Sequence, residues 1–420
     1  MSNHPSSIEL NGRSYAWPQQ PLVVICCDGS EPEYTDRAMH DGTMPNLKRI
    51  MERGEVHVGR CVIPSFTNPN NLSIVTGQPP SVHGICGNFL FDKESGEEVL
   101  MNDPKYLRVP TIFEAFQKAG GKVAVLTAKD KLRRLLGHGL SFGDGSAVCF
   151  SSEHADKCTM EDNGITDVPA MVGMDVPDVY SAELSEFVFA AGVKLLKSMQ
   201  PDLLYLSTTD YIQHKFAPGT DGANAFYAMI DRYLGEIDAA GATFVFTADH
   251  GMSAKHTVAE EPDILYLQEL LDGWYGEGKT RVILPITDPY VVHHGALGSF
   301  ATVYLEEGID AGALIERLRL QDLIEVVYSR EEGCRVFELP EDRVGDIIVV
   351  SRDSKVLGTA AARHDLSGLK EPLRSHGGIS EQRVPVIVNR RMSEVPEGLR
   401  NFDAFFIGCN NVVLKQEAAA

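Results

Sequence analysis

The sequence predicts an α/β fold: a central, mostly parallel sheet covered by helices on both faces, with a small α+β cap domain inserted toward the C-terminal end. Three observations carry this expectation. Short apolar, β-branched runs alternate with amphipathic helical patterns over most of the 420 residues. Runs apolar on both faces and separated by helices indicate parallel strands buried on two sides. After about residue 276 the pattern changes to closely spaced strands with one helix. A chain of this length with 43% hydrophobic residues can bury a sizeable core, as two or three domains or one large domain with an insertion.

The elements follow in order. The run Leu22-Val-Val-Ile-Cys-Cys27 places a strand at 21–27, and helical periodicity follows at 43–53. A strand at 56–63 leads to a helix at 67–76, which ends at Gly77, a residue suited to stopping helices. Next come a helix at 111–119 and a strand at 122–127, then a long helix at 180–199 and a strand at 202–207. A helix at 222–240 and a strand at 242–247 complete this stretch. Strands are then expected at 281–293, 299–305, 322–329 and 344–350, with a helix at 310–319. A last strand at 384–388 returns to the main sheet. The expected division is therefore a core of 1–275 and 369–420 carrying an inserted unit at 276–368. No internal repeat is visible, and the Ala418-Ala-Ala420 tail is expected to fray.

Composition narrows the function. The formal net charge is −21, and no basic stripe is available to neutralise phosphates, which argues against nucleic acid. An anionic substrate would need a local exception, built from metal ions and a few lysines. None of the eight cysteines forms a C-x-x-C pair, and several sit in apolar runs, where a thiol acts as a small hydrophobe. The first residues have no basic start and no apolar stretch. No run approaches the roughly 18 apolar residues of a membrane span. A soluble, cytoplasmic protein with no membrane partner is the expectation, and an oligomer is compatible with it.

The chemistry gathers at strand ends. Asp28 follows 22–27, Thr67 follows Val62-Ile-Pro-Ser-Phe66, Asp210 follows 202–207, and Asp249-His250-Gly251 follows 242–247. In parallel sheets, ligands sit outside the carboxyl ends of the strands. Asp210 and His214 are four apart, which puts both on one helix face. The plainer readings are an N-capping Asp with a surface His, ordinary turn chemistry at 249–251, and an N-cap role for Thr67. Two acid/imidazole pairs at adjacent-looking strand ends favour metal instead, and these ligand types suit zinc, manganese or iron. Thr67 begins a helix, where free N–H groups and the dipole favour a nearby phosphoryl group, and Ser65 is the competing hydroxyl. His376, in Arg374-Ser-His-Gly-Gly378, would supply a further imidazole, with His293-His294 as the rival.

Taken in order, Asp28, the Thr67 segment, Thr76-Gly-Gln-Pro-Pro-Ser-Val-His-Gly84, Asp210-x3-His214, Asp249-His250-Gly251 and His376-Gly-Gly resemble the alkaline phosphatase superfamily. The type I phosphodiesterase/nucleotide pyrophosphatase branch is the nearest match, and within it the enzymes that hydrolyse phosphonoacetate. The resemblance spans nearly all of 20–410. It implies an alkaline-phosphatase-like fold and two zinc ions, one held by Asp210, His214 and His376, the other by Asp28, Asp249, His250 and the Thr67 oxygen. Manganese or iron accept the same ligands. It also implies a covalent phosphothreonine on Thr67 and a hydrogen bond from Asn88 to a phosphoryl oxygen. Lys129 and Lys131, in Thr127-Ala-Lys-Asp-Lys131, suit a second small anion such as the carboxylate of phosphonoacetate. The expected reaction is cleavage of its carbon–phosphorus bond. Phosphodiester or nucleotide pyrophosphate hydrolysis is the alternative, and a metal-binding protein without catalysis the third reading.

Overall fold

A computed structural model of the chain describes residues 4–287 and 295–414. Its main sheet has seven strands. They are β1 (Leu22–Cys26), β2 (Glu55–Arg60), β3 (Val123–Thr127), β4 (Ala147–Ser151), β5 (Leu203–Ser207), β6 (Thr243–Thr247) and β11 (Arg383–Val388). Their spatial order is β2–β11–β6–β1–β5–β3–β4. Only β11 runs against its neighbours; the β6–β1, β1–β5, β5–β3 and β3–β4 pairings are parallel. The expected strands all form within one to three residues of their bounds. The edge strand β4 was not foreseen.

Every residue of β1, β3, β4, β5 and β6 is buried, as a sheet covered twice requires. Alternate residues feed two cores. Leu22, Val24 and Cys26 join a cluster with Leu72 and Val75 of α2 (Thr67–Thr76) and Phe113 and Phe116 of α3 (Ile112–Lys118). Val23, Ile25 and Cys27 face Leu47 of α1 (Pro45–Ile50), Phe187 of α5 (Glu183–Ser198) and Ile230 of α7 (Asp221–Ala239). Two shorter helices matter below: α4 (Asp130–Leu136) and α6 (Tyr211–Lys215).

A second sheet occupies the stretch expected to be inserted. Strands β7 (Thr280–Ile283), β8 (Phe300–Leu305), β9 (Ile324–Ser329) and β10 (Ile347–Ser351) pair antiparallel in the order β7–β8–β10–β9. Helix α8 (Ala311–Arg319) forms as expected, and α9 (Arg330–Phe337) is additional. The expected strand at 281–293 is shorter than its apolar pattern. Pro285, which has no N–H to offer a ladder, follows Leu284, and 284–287 are not strand. The remainder of that stretch, with His293 and His294, and the Ala418–Ala420 tail lie outside the described residues. This smaller sheet is not an isolated unit. Val303, Leu318 and Ile347 belong to the same buried cluster as Val24 and Phe116. All eight cysteines are free. Among the described residues no helix is long and apolar enough to cross a membrane.

Candidate metal centre and active site

The site begins with strand register. Thr247, Cys26, Ser207, Thr127 and Ser151 stand side by side across β6, β1, β5, β3 and β4. The ladder runs one residue further, through Cys27 N–H to Thr247 O, Thr208 N–H to Cys26 O, Ala128 N–H to Ser207 O and Ser152 N–H to Thr127 O. Just beyond that row the chain presents Asp249, Asp28, Asp210, Lys129 and Glu153. Neighbouring strands lie about 4.8 Å apart, so residues at matching heights become close neighbours. Asp28 can take its place because Gly29 has φ +69°, a left-handed turn, and a Cβ there would come within 3.1 Å of the Asp210 Cβ.

Two trios of candidate ligand atoms result: Asp210, His214 and His376, and Asp28, Asp249 and His250. Within each, the atoms lie within 4.8 Å of one another. His214 Nε2 is 2.9 Å from Asp210 Oδ2, and His376 Nε2 is 3.7 Å from the same oxygen. Across the other trio, His250 Nε2 is 3.3 Å from Asp28 Oδ1. The trios adjoin, since the His250 and His376 rings stack with centroids 3.7 Å apart. Asp210 is the N-cap residue of α6, but no side-chain hydrogen bond caps that helix. The capping alternative thus gives way to the pairing with His214.

The residues fit divalent metal. Each imidazole Nδ1 is 2.8–2.9 Å from a backbone carbonyl: His214 to Arg374 O, His250 to Gly251 O, His376 to Ser65 O. A carbonyl only accepts, so Nδ1 carries the proton and Nε2 keeps a lone pair aimed at the trio. Asp28 Oδ1 and His250 Nε2 are fully buried without a hydrogen-bond partner among the described residues. Burial, with Asp210 and Asp249 close by, pushes the Asp28 carboxyl well up. Burial likewise raises Asp249 and, with His250 alongside, drives His376 well down. Such crowding of buried acids is costly alone and is relieved by a multivalent cation.

Thr67 opens α2, but as its first residue; Phe66 is the N-cap. The expected capping role therefore does not apply. The Asn68 N–H is taken instead by Asn88 Oδ1 at 2.8 Å. Asn88 also donates through Nδ2 to Ile286 O at 2.6 Å, which leaves its second amide hydrogen for another acceptor. Ser65 is fully buried, with its hydroxyl bonded to Gly378 O at 2.9 Å and to the Gly377 N–H at 3.0 Å. Thr67 also departs from the strand-end rule. It comes after a loop at 61–66 rather than directly after a strand, and a bridge from Ser65 to Gly377 ties that loop to the His376 segment.

Thr67, Asn88, Asp28, Asp210, His376, Lys129 and Lys131 line one cavity of ≈ 300 Å³, together with Asn68, Glu153 and Tyr180. His214, Asp249 and His250 are not among its lining residues. A roomier cavity of ≈ 610 Å³ lies off the second sheet; its charges include the Arg281–Glu98 pair at 3.1 Å, and it contains neither trio.

Some contributors were not legible beforehand. Asn71, one turn into α2, donates to Asp249 Oδ2 at 3.2 Å and Thr67 O at 3.1 Å, and accepts from Tyr205 Oη at 2.7 Å. Its only signal is a polar residue on a fully buried helix face. Arg374 donates to Gln213 O at 2.9 Å and Met252 O at 2.9 Å, binding the His214 helix to the segment that carries His376. Glu381 accepts from Gly378 N–H at 2.9 Å and pairs with Lys255 at 2.8 Å, both side chains fully buried. Burial alone would lift the Glu381 carboxyl, but the Lys255 ammonium together with hydrogen bonds from Lys255, Ser253 and Ser380 holds the group below the ordinary glutamate range. A depressed acid stabilises the fold above its unfolded pKa and loses that contribution as pH falls through the folded value. Lys255→Met, which leaves Glu381 charged and alone, should cost about 3–5 kcal/mol in urea unfolding at pH 7. A loss under about 1 kcal/mol would show that the pair does not brace this segment.

Comparison with known proteins bears on this geometry. A family model described as type I phosphodiesterase/nucleotide pyrophosphatase matches residues 22–378. Phosphonoacetate hydrolase from Sinorhizobium meliloti 1021, solved in complex with phosphonoformate, is 61% identical. The match covers 97% of this chain and 99% of that one, with a TM-score of 0.94. The same enzyme in complex with phosphonoacetate also gives a TM-score of 0.94. Murine ectonucleotide pyrophosphatase/phosphodiesterase 5 in complex with AMP shares the fold at 17% identity and a TM-score of 0.64, over 93% of this chain and 94% of that one. An uncharacterised pyrophosphatase/phosphodiesterase of Schizosaccharomyces pombe is 25% identical over 252 residues. That match takes in 56% of this chain but only 45% of the relative, so this chain spans less than half its length.

Proposed function

The chain belongs to the type I phosphodiesterase/nucleotide pyrophosphatase family, and from that membership we propose that it hydrolyses the carbon–phosphorus bond of phosphonoacetate to acetate and phosphate. One observation carries the reading: a single cavity gathers a helix-opening threonine, ligands from both metal trios and two lysines. Phosphonoacetate offers a phosphonate for the first group and a carboxylate for the lysines. The 60% identity to an enzyme solved with this compound supports the assignment.

Asp210, His214 and His376 would hold one zinc ion, and Asp28, Asp249, His250 and the Thr67 oxygen the other. When bound, the two ions supply Lewis acidity that offsets phosphonate charge and eases ionisation of a hydroxyl. Thr67 Oγ attacks phosphorus, forming a P–O bond as the P–C bond breaks. The electron pair leaves on the acetate carbon, delocalised as an enediolate, and is quenched by a proton. Lys129 and Lys131 hold the carboxylate on which that charge grows. Asn88, through its remaining amide hydrogen, steadies a phosphoryl oxygen. Water then cleaves the phosphothreonine, releasing phosphate and restoring the Thr67 hydroxyl. Residues 276–368 act as a cap whose 285–286 carbonyls meet Asn88 at the cavity wall.

A zinc-loaded preparation offered phosphonoacetate and a chromogenic phosphodiester tests the assignment. The phosphonate should be the better substrate by kcat/KM; a diester preferred by orders of magnitude would make the chain a phosphodiesterase. Lys129→Ala and Lys131→Ala should each lower kcat/KM for phosphonoacetate by about 100-fold, the scale of one lost charge-stabilising donor. Diester hydrolysis should fall less than about tenfold, and equal losses on both substrates would remove the carboxylate clamp.

A further inference from the structure

The strand-end row that supplies Asp249, Asp28, Asp210 and Lys129 has a fifth member. Glu153 stands two residues past Ser151 on β4, as Lys129 stands two past Thr127 on β3, and those strands are in register there. Its side chain lines the same cavity as Lys129 and Lys131. Glu153 Oε2 accepts the Asp130 N–H at 2.8 Å, so its carboxylate is tied to the backbone between the two lysines. The Asp130 carboxylate is itself engaged elsewhere, with Arg133 Nε at 2.6 Å and Arg134 Nε at 3.3 Å. The Thr127 hydroxyl donates to Lys129 O at 2.9 Å and fixes the start of the loop.

Of the charged residues that line this cavity, Asp28, Asp210 and His376 belong to the metal trios, and the others are Lys129, Lys131 and Glu153, two ammonium groups and one carboxylate. Resting on the reading that this end receives the substrate's carboxylate, we propose that Glu153 is a specificity-determining residue. It reduces the distal subsite to a single net positive charge, fitted to phosphonates with one carboxylate and unfavourable to those with two. A second carboxylate on the substrate would meet Glu153 rather than a free cation, and like charges a few ångströms apart repel.

Glu153→Gln isolates the charge, because the amide oxygen still accepts the Asp130 N–H. The probe is 2-phosphonosuccinate, a phosphonate with two carboxylates, used as a competitive inhibitor of phosphonoacetate hydrolysis at low ionic strength. The ratio of its Ki to the KM of phosphonoacetate should fall about tenfold in the variant, and the gain should shrink as salt is added. Glu153→Asp, which keeps the charge, should hold the ratio near that of the parent protein, and melting temperature and metal content provide the folding control. A Glu153→Gln ratio within twofold of the parent would overturn the proposal. Failure of the underlying reading looks different: the parent protein itself would release no phosphate from phosphonoacetate.

Discussion

Replacing Thr67 by Ala is expected to abolish phosphate release from phosphonoacetate while leaving metal binding nearly intact. Six of the seven proposed ligands are carboxylates and imidazoles outside the substituted side chain, so about two metal ions per chain should remain bound. The loss should be on the order of 10⁴-fold or more in kcat, as expected when the attacking group itself is removed. Structural damage should be slight. Helix α2 is capped from outside through Asn88, not by the threonine hydroxyl, and Asn71 bonds to the Thr67 carbonyl, which alanine retains. Substantial residual turnover with full metal content would point to direct attack by water and remove the phosphothreonine.

The second large effect concerns Asp28, and its sign depends on metal. In metal-free protein the Asp28 carboxyl is buried beside Asp210 and Asp249, which raises its pKa in the folded state. A carboxyl raised on folding binds more protons folded than unfolded, so it destabilises progressively as pH climbs above its unfolded value, about 3.9. Asp28→Asn should therefore make the metal-free protein more stable than the parent at pH 7, by about 1–3 kcal/mol. In zinc the order should reverse, because the parent gains binding free energy that the variant has lost. Metal content should drop to about one ion per chain, with turnover reduced by at least about 10³-fold. Melting temperatures with chelator and with zinc, alongside metal analysis, read all three. A variant less stable than the parent under both conditions would mean that Asp28 serves packing rather than a cation.

How much of this was legible in sequence depends on how local each signal is. Strand β5 and its Asp210 are readable because an apolar run, a polar break and an i,i+4 imidazole lie within a dozen residues. The division into two sets was implied by resemblance, and the fold brings the same residues together in two groups able to hold metal, although His376 reaches Asp210 across 166 positions of sequence. Nothing in the sequence at 374–378 announces this locally, where Arg374–Ser375 pair as a short strand with Ser253–Ala254. Its position comes from His376 Nδ1 on Ser65 O and from the Ser65–Gly377 bridge, both long-range contacts. Strand β4 is not legible because Ala147-Val-Cys-Phe-Ser emerges directly from the Gly/Ser-rich segment Gly143-Asp-Gly-Ser146. Glu153 was missed with it, since its meaning depends on register with β3. Asn71 and the Lys255–Glu381 pair are polar groups whose partners exist only in the folded chain. Sequence periodicity cannot supply such partners; it can only flag a polar residue where an apolar one is expected.

The most direct test is product identity: phosphonoacetate incubated with the zinc-loaded protein and followed by phosphorus and carbon NMR. Acetate and inorganic phosphate should appear in equal amounts as phosphonoacetate disappears, and both should be missing with Thr67→Ala. An unchanged phosphonoacetate spectrum, under conditions in which the same preparation hydrolyses a phosphodiester, would contradict the account.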